Sequence, residues 1–314
     1  MIVRNARSAF GAAFLILSMA GIVTAAGNEL PAALAYIHAG ELKINRPGGV
    51  MDSIVIAGQE WARPMTPVFV ETGGETILFA AHYVRHIGGR AVVNIEIANL
   101  FMVGTEGVRQ LTDYGGFTVS PDYSPANRQI VFVSNHGVPR RSQRAHRRGM
   151  TATMNATQLY LLEDSWKMAR RLTETAGDKF NPQWSPDGRH VIFAWLQGDT
   201  LGIHLLDVAT ESTVQVAGRG SHPTWRPDGG AIAFAMNGRL FAVEVGDSGA
   251  TGAPYPLLPD QRAYCSFLRW TESGLLFQWA REREQGISLL TNDGRVRALV
   301  SGAGEYGGAD LARD

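Results

Sequence analysis

The chain has 314 residues, 29 basic against 29 acidic side chains, 45% apolar residues and a single cysteine. Such a composition belongs to a folded globular chain. It excludes an intrachain disulfide framework and any binding of polyanions that rests on bulk charge.

The first residues read as a secretory signal spanning 1–26. Arg4 and Arg7 form a positive start, Ala9–Val23 an apolar run, and Val23-Thr24-Ala25 or Thr24-Ala25-Ala26 a small-residue cleavage site. The expectation is a periplasmic or secreted bacterial protein. Its mature part is residues 27–314, with no lasting membrane insertion after cleavage. Export without disulfides suits a periplasm, where a large core makes them unnecessary. Cys265 reads as a small buried apolar residue.

From Ala33 onward the chain reads as short strands joined by turns. Ala33–Ile37 and Gly40–Asn45 open a first unit. A second unit begins T-P-V-F at Thr66, with strands at Thr76–Ala81, Val92–Val103 and Val108–Thr112 and a loop from His82 to Arg90. A third begins at Ser120–Phe132 (S-P-D-Y-S-P-A-N-R-Q-I-V-F), with its next strand at Gln158–Leu162 and a long insertion from Asn135 to Thr157. Asn181–Phe193 (N-P-Q-W-S-P-D-G-R-H-V-I-F) and His222–Phe234 (H-P-T-W-R-P-D-G-G-A-I-A-F) open two compact units. Phe267–Phe277 (F-L-R-W-T-E-S-G-L-L-F) opens the last.

Each copy carries the same parts. In four of the five a short polar residue (Thr66, Ser120, Asn181, His222) precedes proline, which pushes it toward extended geometry. An aromatic follows the proline by two positions, then a turn in which Pro186, Asp187 and Gly188 serve φ restriction, N–H acceptance and positive φ. A β-branched and aromatic run completes the unit. The aromatics Phe69, Tyr123, Trp184, Trp225 and Trp270 lie 54, 61, 41 and 45 residues apart. A period in the forties is that of a propeller blade. The two longer intervals hold the two insertions. The fold expected is all-β, a six-bladed β-propeller of four-stranded antiparallel blades. Tyr306-Gly307-Gly308-Ala309-Asp310 echoes Tyr114-Gly115-Gly116-Phe117-Thr118, so Ala309–Arg313 is expected to complete blade one and close the ring.

The W-S-P-D-G-x-x-[IV]-x-F pattern at Trp184–Phe193 and Trp225–Phe234 resembles the repeat of the TolB-type six-bladed propellers. The resemblance covers most of the mature chain. It implies the propeller without the α/β domain that precedes it in TolB. It also implies a central channel bordered by the innermost strands, with both insertions on one face and the P-D-G turns on the other.

Two candidate sites follow. The first is a basic loop face: His82, Arg85, His86 and Arg90 from one insertion, and His136, Arg140, Arg141, Arg144, His146, Arg147 and Arg148 from the other. Between Tyr123 and Leu162 the chain has six Arg and no Asp or Glu. Such a patch attracts an acidic ligand or an acidic partner surface. The second is the channel mouth, where Thr66, Ser120, Asn181 and His222 should form a polar ring. The aromatics beside the turns read as packing between blades rather than as a sugar platform.

No H-E-x-x-H, paired-Cys or G-x-S-x-G motif occurs. The reading is a monomeric binding module of the cell envelope, with an envelope protein or acidic ligand as partner, no nucleic acid and no cofactor. The alternative is a metal-dependent enzyme, a lyase or hydrolase on acidic saccharides, with a divalent metal at the channel mouth.

Overall fold

The computed structural model describes residues 30–48, 51–54, 61–70, 74–87, 90–137, 157–163, 169–246, 249–258, 261, 263–282, 284–302 and 306–313, with backbone only for 51–54, 61–63, 85–87 and 90–96. The expected signal, residues 1–26, lies outside them.

Strands follow the aromatic repeat. Blade one holds β1 (Leu34–His38), β2 (Glu41–Asn45) and β3 (Met51–Ile54). Blade two holds β4 (Trp61–Phe69), β5 (Ile77–Ile87), β6 (Arg90–Gly104) and β7 (Gly107–Gln110). Blade three holds β8 (Thr118–Ser124), β9 (Gln129–Ser134), β10 (Gln158–Leu162) and β11 (Ala169–Arg171). Blade four holds β12 (Asp178–Trp184), β13 (His190–Gln197), β14 (Thr200–Asp207) and β15 (Thr213–Ala217). Blade five holds β16 (Ser221–Trp225), β17 (Ala231–Met236), β18 (Arg239–Gly246), β19 (Gly249–Ala250) and β20 (Tyr255–Pro256). Blade six holds β21 (Tyr264–Thr271), β22 (Gly274–Arg281), β23 (Glu284–Thr291) and β24 (Val296–Gly302). The final strand, β25 (Tyr306–Leu311), pairs antiparallel with β1, so sheet order in blade one is β25-β1-β2-β3. The innermost strands touch in succession from β25 through β4, β8, β12, β16 and β21 and back to β25. The protein is a closed six-bladed propeller whose blades are four-stranded. In blade five, β19 and β20 share the outermost position along β18.

The apolar cores lie between blades. Phe69 packs with Ala35, Ile37 and Leu42 of blade one, and Trp184 packs with blade three's Ile130–Val133. Trp225 joins Ile192 and Ile203 of blade four, and Trp270 packs against the cluster of Ala233 and Leu240 in blade five. Each repeated aromatic is thus a wedge into the blade before it. Trp184 is only 6% exposed.

The turns follow their residues. Gly188 has φ 72° and donates to the Ser185 carbonyl at 2.9 Å, while Asp187 accepts from Arg189 N at 3.0 Å. In blade three Arg128 takes the left-handed position with φ 58°. Cys265 is buried, which pushes its thiol pKa up to about 12.

One expected loop is not a loop. His82–Ile87 and the start of β6 at Arg90 extend the blade-two hairpin, with Ile87 opposite Arg90 and a register break at His82/Tyr83. Val84, Ile87, Val92 and Val93 supply the β-branched residues that carry pairing past the blade's edge.

Trp184→Ala should cost about 3–5 kcal/mol in urea unfolding, as expected for deleting a buried tryptophan; a loss below about 1 kcal/mol would place the ring outside the core. Removing residues 306–314 strips blade one of its innermost strand. It should depress the melting temperature sharply, and an unchanged melt would show that closure does not depend on β25.

Candidate functional site: the channel and its two faces

The innermost strands share a defect that shapes the channel. Register breaks at Met65/Val68, Val119/Asp122, Phe180/Gln183, Ser221/Thr224 and Ser266/Arg269. At each break one residue is left-handed: Thr66 (φ 47°), Ser120 (51°), Asn181 (47°), His222 (49°) and Phe267 (48°). Gly308 (94°) is the counterpart in β25. These are β-bulges, and they bend each strand around the axis. The extended geometry expected before proline does not hold at Thr66, Ser120, Asn181 and His222. The bulge imposes a conformation that costs of order 1 kcal/mol per non-glycine residue, and packing holds it.

All six bulge residues line one cavity of about 60 Å³ at the channel mouth. The four predicted residues are therefore brought together. Phe267 and Gly308 complete the ring; sequence reading missed them because neither precedes a proline. Thr66 Oγ1 is buried with no hydrogen-bond partner. His222 stands 4.7 Å from the Phe267 ring, and its Nδ1 is 3.2 Å from Ser221 Oγ. Burial pulls its imidazole pKa down to about 4.

The mouth does not open into a through-channel. Arg269 crosses the axis, with Nη1 2.7 Å from Asp122 Oδ1 and Nε 3.0 Å from Asp310 Oδ1. Burial disfavours its charge, but the two carboxylates outweigh that and hold the guanidinium above its ordinary pKa. The second oxygen of each carboxylate serves the backbone of a neighbouring blade. Asp122 Oδ2 accepts from Trp184 N at 2.7 Å, and Asp310 Oδ2 from Phe69 N at 2.9 Å. Thr224 Oγ1 accepts from Trp270 N at 2.9 Å in the same way. At Asp122, Thr224 and Asp310 the residue between the proline position and the aromatic position is thus an inter-blade strut. Its only sequence signal was the recurrence of Asp or Thr at that place.

On the far side, where the P-D-G turns lie, is a second cavity of about 230 Å³. Asp122, Gln183 and Arg269 line both cavities and form the floor between them.

The basic loop face is partly described. The second strands β5 and β9 both run toward the channel-mouth side. His82 is buried there with its ring 6.0 Å from Phe117, and Phe117 N donates to Asn135 Oδ1 at 2.8 Å. His136 is exposed, 4.6 Å from the Tyr114 ring, and its carbonyl accepts from the Tyr160 hydroxyl. The roots of the two insertions are therefore neighbours. Arg85, His86 and Arg90 sit on the extended hairpin. Arg140, Arg141, Arg144, His146, Arg147 and Arg148 lie outside the described residues. A feature the sequence did not reveal is Lys179, fully buried under Trp195 at 4.7 Å and donating to the Gly177 carbonyl at 2.8 Å. Burial lowers its pKa to about 7. Among the described residues, no three His, Cys, Asp or Glu side chains converge as metal ligands.

Solved structures place this geometry among known folds. TolB from Acinetobacter baumannii superposes with TM-score 0.66 at 16% identity, over 91% of this chain and 68% of that one. A TolB from Agrobacterium tumefaciens, described as putative, gives 0.59 at 15%, over 88% and 91%. An oligogalacturonate lyase from Vibrio parahaemolyticus gives 0.52 at 13%, over 84% and 76%. No protein-family model and no curated protein matches the sequence. The fold is a TolB-like six-bladed β-propeller.

Arg269→Met leaves two carboxylates buried without their cation and should cost about 3–5 kcal/mol. Adding Asp122→Asn and Asp310→Asn should restore much of the loss in the same denaturation experiment; no recovery would mean that Arg269 acts by packing alone. His222 sets an acid limb. The unfolded chain takes up its proton near 6.5 and the folded chain only near 4, so stability falls as pH drops through that window. His222→Gln should flatten stability between those pH values, and an unchanged slope would refute the assignment.

Proposed function

We propose that the protein is an exported, non-catalytic binding module of the cell envelope. Its interaction surface is the face carrying the extended blade-two hairpin and the blade-three insertion. One observation carries this reading: the described roots of the two basic insertions meet through Phe117, between His82 at 6.0 Å and Asn135 at 2.8 Å. Two basic segments far apart in sequence thus have neighbouring roots on one face. Export rests on the signal-like start at Arg4, Arg7 and Ala9–Val23 and on the likeness to TolB. The partner is an envelope protein with an acidic surface, met by a face on which arginine supplies the charge.

The test is a cross-linking pull-down from an envelope fraction, with the natural sequence and with Arg140, Arg141, Arg144, Arg147 and Arg148 all changed to Ala. A partner recovered only with the arginines, and less well at high salt, supports the reading. Equal recovery from both, or none from either, overturns it.

A further inference from the structure

We infer that the cavity on the P-D-G turn face is a binding site for one uncharged sugar ring. The cavity lies on the far side of the Arg269 floor from the basic loop face, so it stands apart from the function proposed above. Its volume of about 230 Å³ is nearly four times that of the channel mouth, about 60 Å³.

The walls come from successive blades. Tyr123, Trp184, Trp225 and Trp270 face it from blades three to six, with Pro186 and Pro227 of the turns. Tyr123, Trp184 and Trp225 are more than nine-tenths buried, whereas Trp270 is half-buried. Trp270 is also held in place. The Arg226 guanidinium lies 5.9 Å from its ring, and Arg226 is itself fixed by Asp228 at 2.8 Å and Glu244 at 3.2 Å. An apolar wall held this way suits the C–H face of a ring.

Among the buried groups of the described lining, the hydrogen-bonding capacity left over is donor capacity. Both oxygens of Asp122 and both of Asp310 already accept from Arg269 or from backbone N–H groups. In contrast, Trp184 Nε1, Trp225 Nε1 and Arg269 Nη2 are buried with no acceptor. Buried donors without partners are rare in native proteins, and each asks for an acceptor, from an ordered water or from a ligand. These N–H groups are closed to solvent, so a small opening of the wall must accompany binding. The occupant then supplies oxygen acceptors.

Charge decides between the remaining chemistries. Among the described residues of the lining, Arg269 and Arg313 stand against Asp122, Asp310 and Glu272, a balance of one negative charge. Carboxylates and phosphates are repelled. Aromatic walls with a negative charge would suit a cation, but a cation brings no acceptor for three N–H donors. A neutral, hydroxyl-bearing ring meets both conditions: it accepts from the indoles and donates to Glu272.

The experiment uses the mature protein with 15N-labelled tryptophan, titrated separately with glucose, galactose, mannose and N-acetylglucosamine. Indole signals are assigned through Trp→Phe variants. Expected is saturable movement of the Trp184 and Trp225 N–H resonances with at least one of the four. Galacturonate should move them much less. Ser273→Trp, which puts a large side chain into the lining from a half-buried turn residue, should weaken binding by at least about tenfold with an unchanged melting temperature. Failure of all four sugars to move either signal overturns the inference. So does equal binding of galacturonate, or binding that survives Ser273→Trp. Loss of the loop-face arginines leaves this titration unaffected if the two sites are independent, so either reading can fail without the other.

Discussion

Ring closure converges on Asp310. Its backbone pairs with Ala35 in blade one, Oδ2 takes Phe69 N–H from blade two, and Oδ1 takes Arg269 from blade six. Arg269 then reaches Asp122 in blade three, whose other oxygen takes Trp184 N–H from blade four. Blade five joins through Thr224 and the Trp270 N–H. One connected set of three charged side chains and a threonine therefore touches all six blades. Closing a ring from distant parts of a chain costs loop entropy that only non-local contacts can offset. Charge-assisted bonds at the axis supply directionality that the apolar wedges cannot.

Burying such a set is expensive unless every partner is met. The wedges make it affordable. Phe69, Trp184, Trp225 and Trp270 fill the inter-blade gaps and bring neighbouring N–H groups to where the struts can reach them. The bulges do the rest. The innermost strands turn left-handed at six equivalent positions, and at three of them the residue two places on (Asp122, Thr224, Asp310) reaches a backbone N–H of the next blade. Strain at Thr66, Ser120, Asn181, His222 and Phe267 is thus a component of the same arrangement, repaid in strut and wedge contacts.

The wedges and the turns were legible because they are local. P-x-aromatic and P-D-G carry their conformational reasons within a few residues, and repetition made the period visible. Closure by the last strand was legible as an echo of Tyr114–Thr118 in Tyr306–Asp310. Arg269 was not legible. Its partners stand 147 and 41 residues away, and F-L-R-W lacks the proline that marked the other copies. The pre-proline rule misled at the bulges because it is a local preference, and tertiary packing overrode it. The hairpin at His82–Arg90 was misread for the opposite reason. Its basic residues suggested a solvated loop, while Val84, Ile87, Val92 and Val93 supplied the β-branched side chains that favour a strand.

The same floor that closes the ring restricts what either side of the channel can hold. Asp122, Gln183 and Arg269 belong to both cavities, so no solute passes between them without breaking the network. A ligand that donated strongly to Asp122 or Asp310 would compete with Trp184 N–H, Phe69 N–H or Arg269 for the same oxygens, and so would oppose closure. A ligand that accepts meets no such competition, because the donors still free at the floor and walls are Arg269 Nη2 and two indole N–H groups. Stability and binding therefore select the same chemistry at the axis. On that reasoning an occupant at the axis has to bring acceptors, and the acidic partner of the proposed function has to be met away from it, at the outer loops.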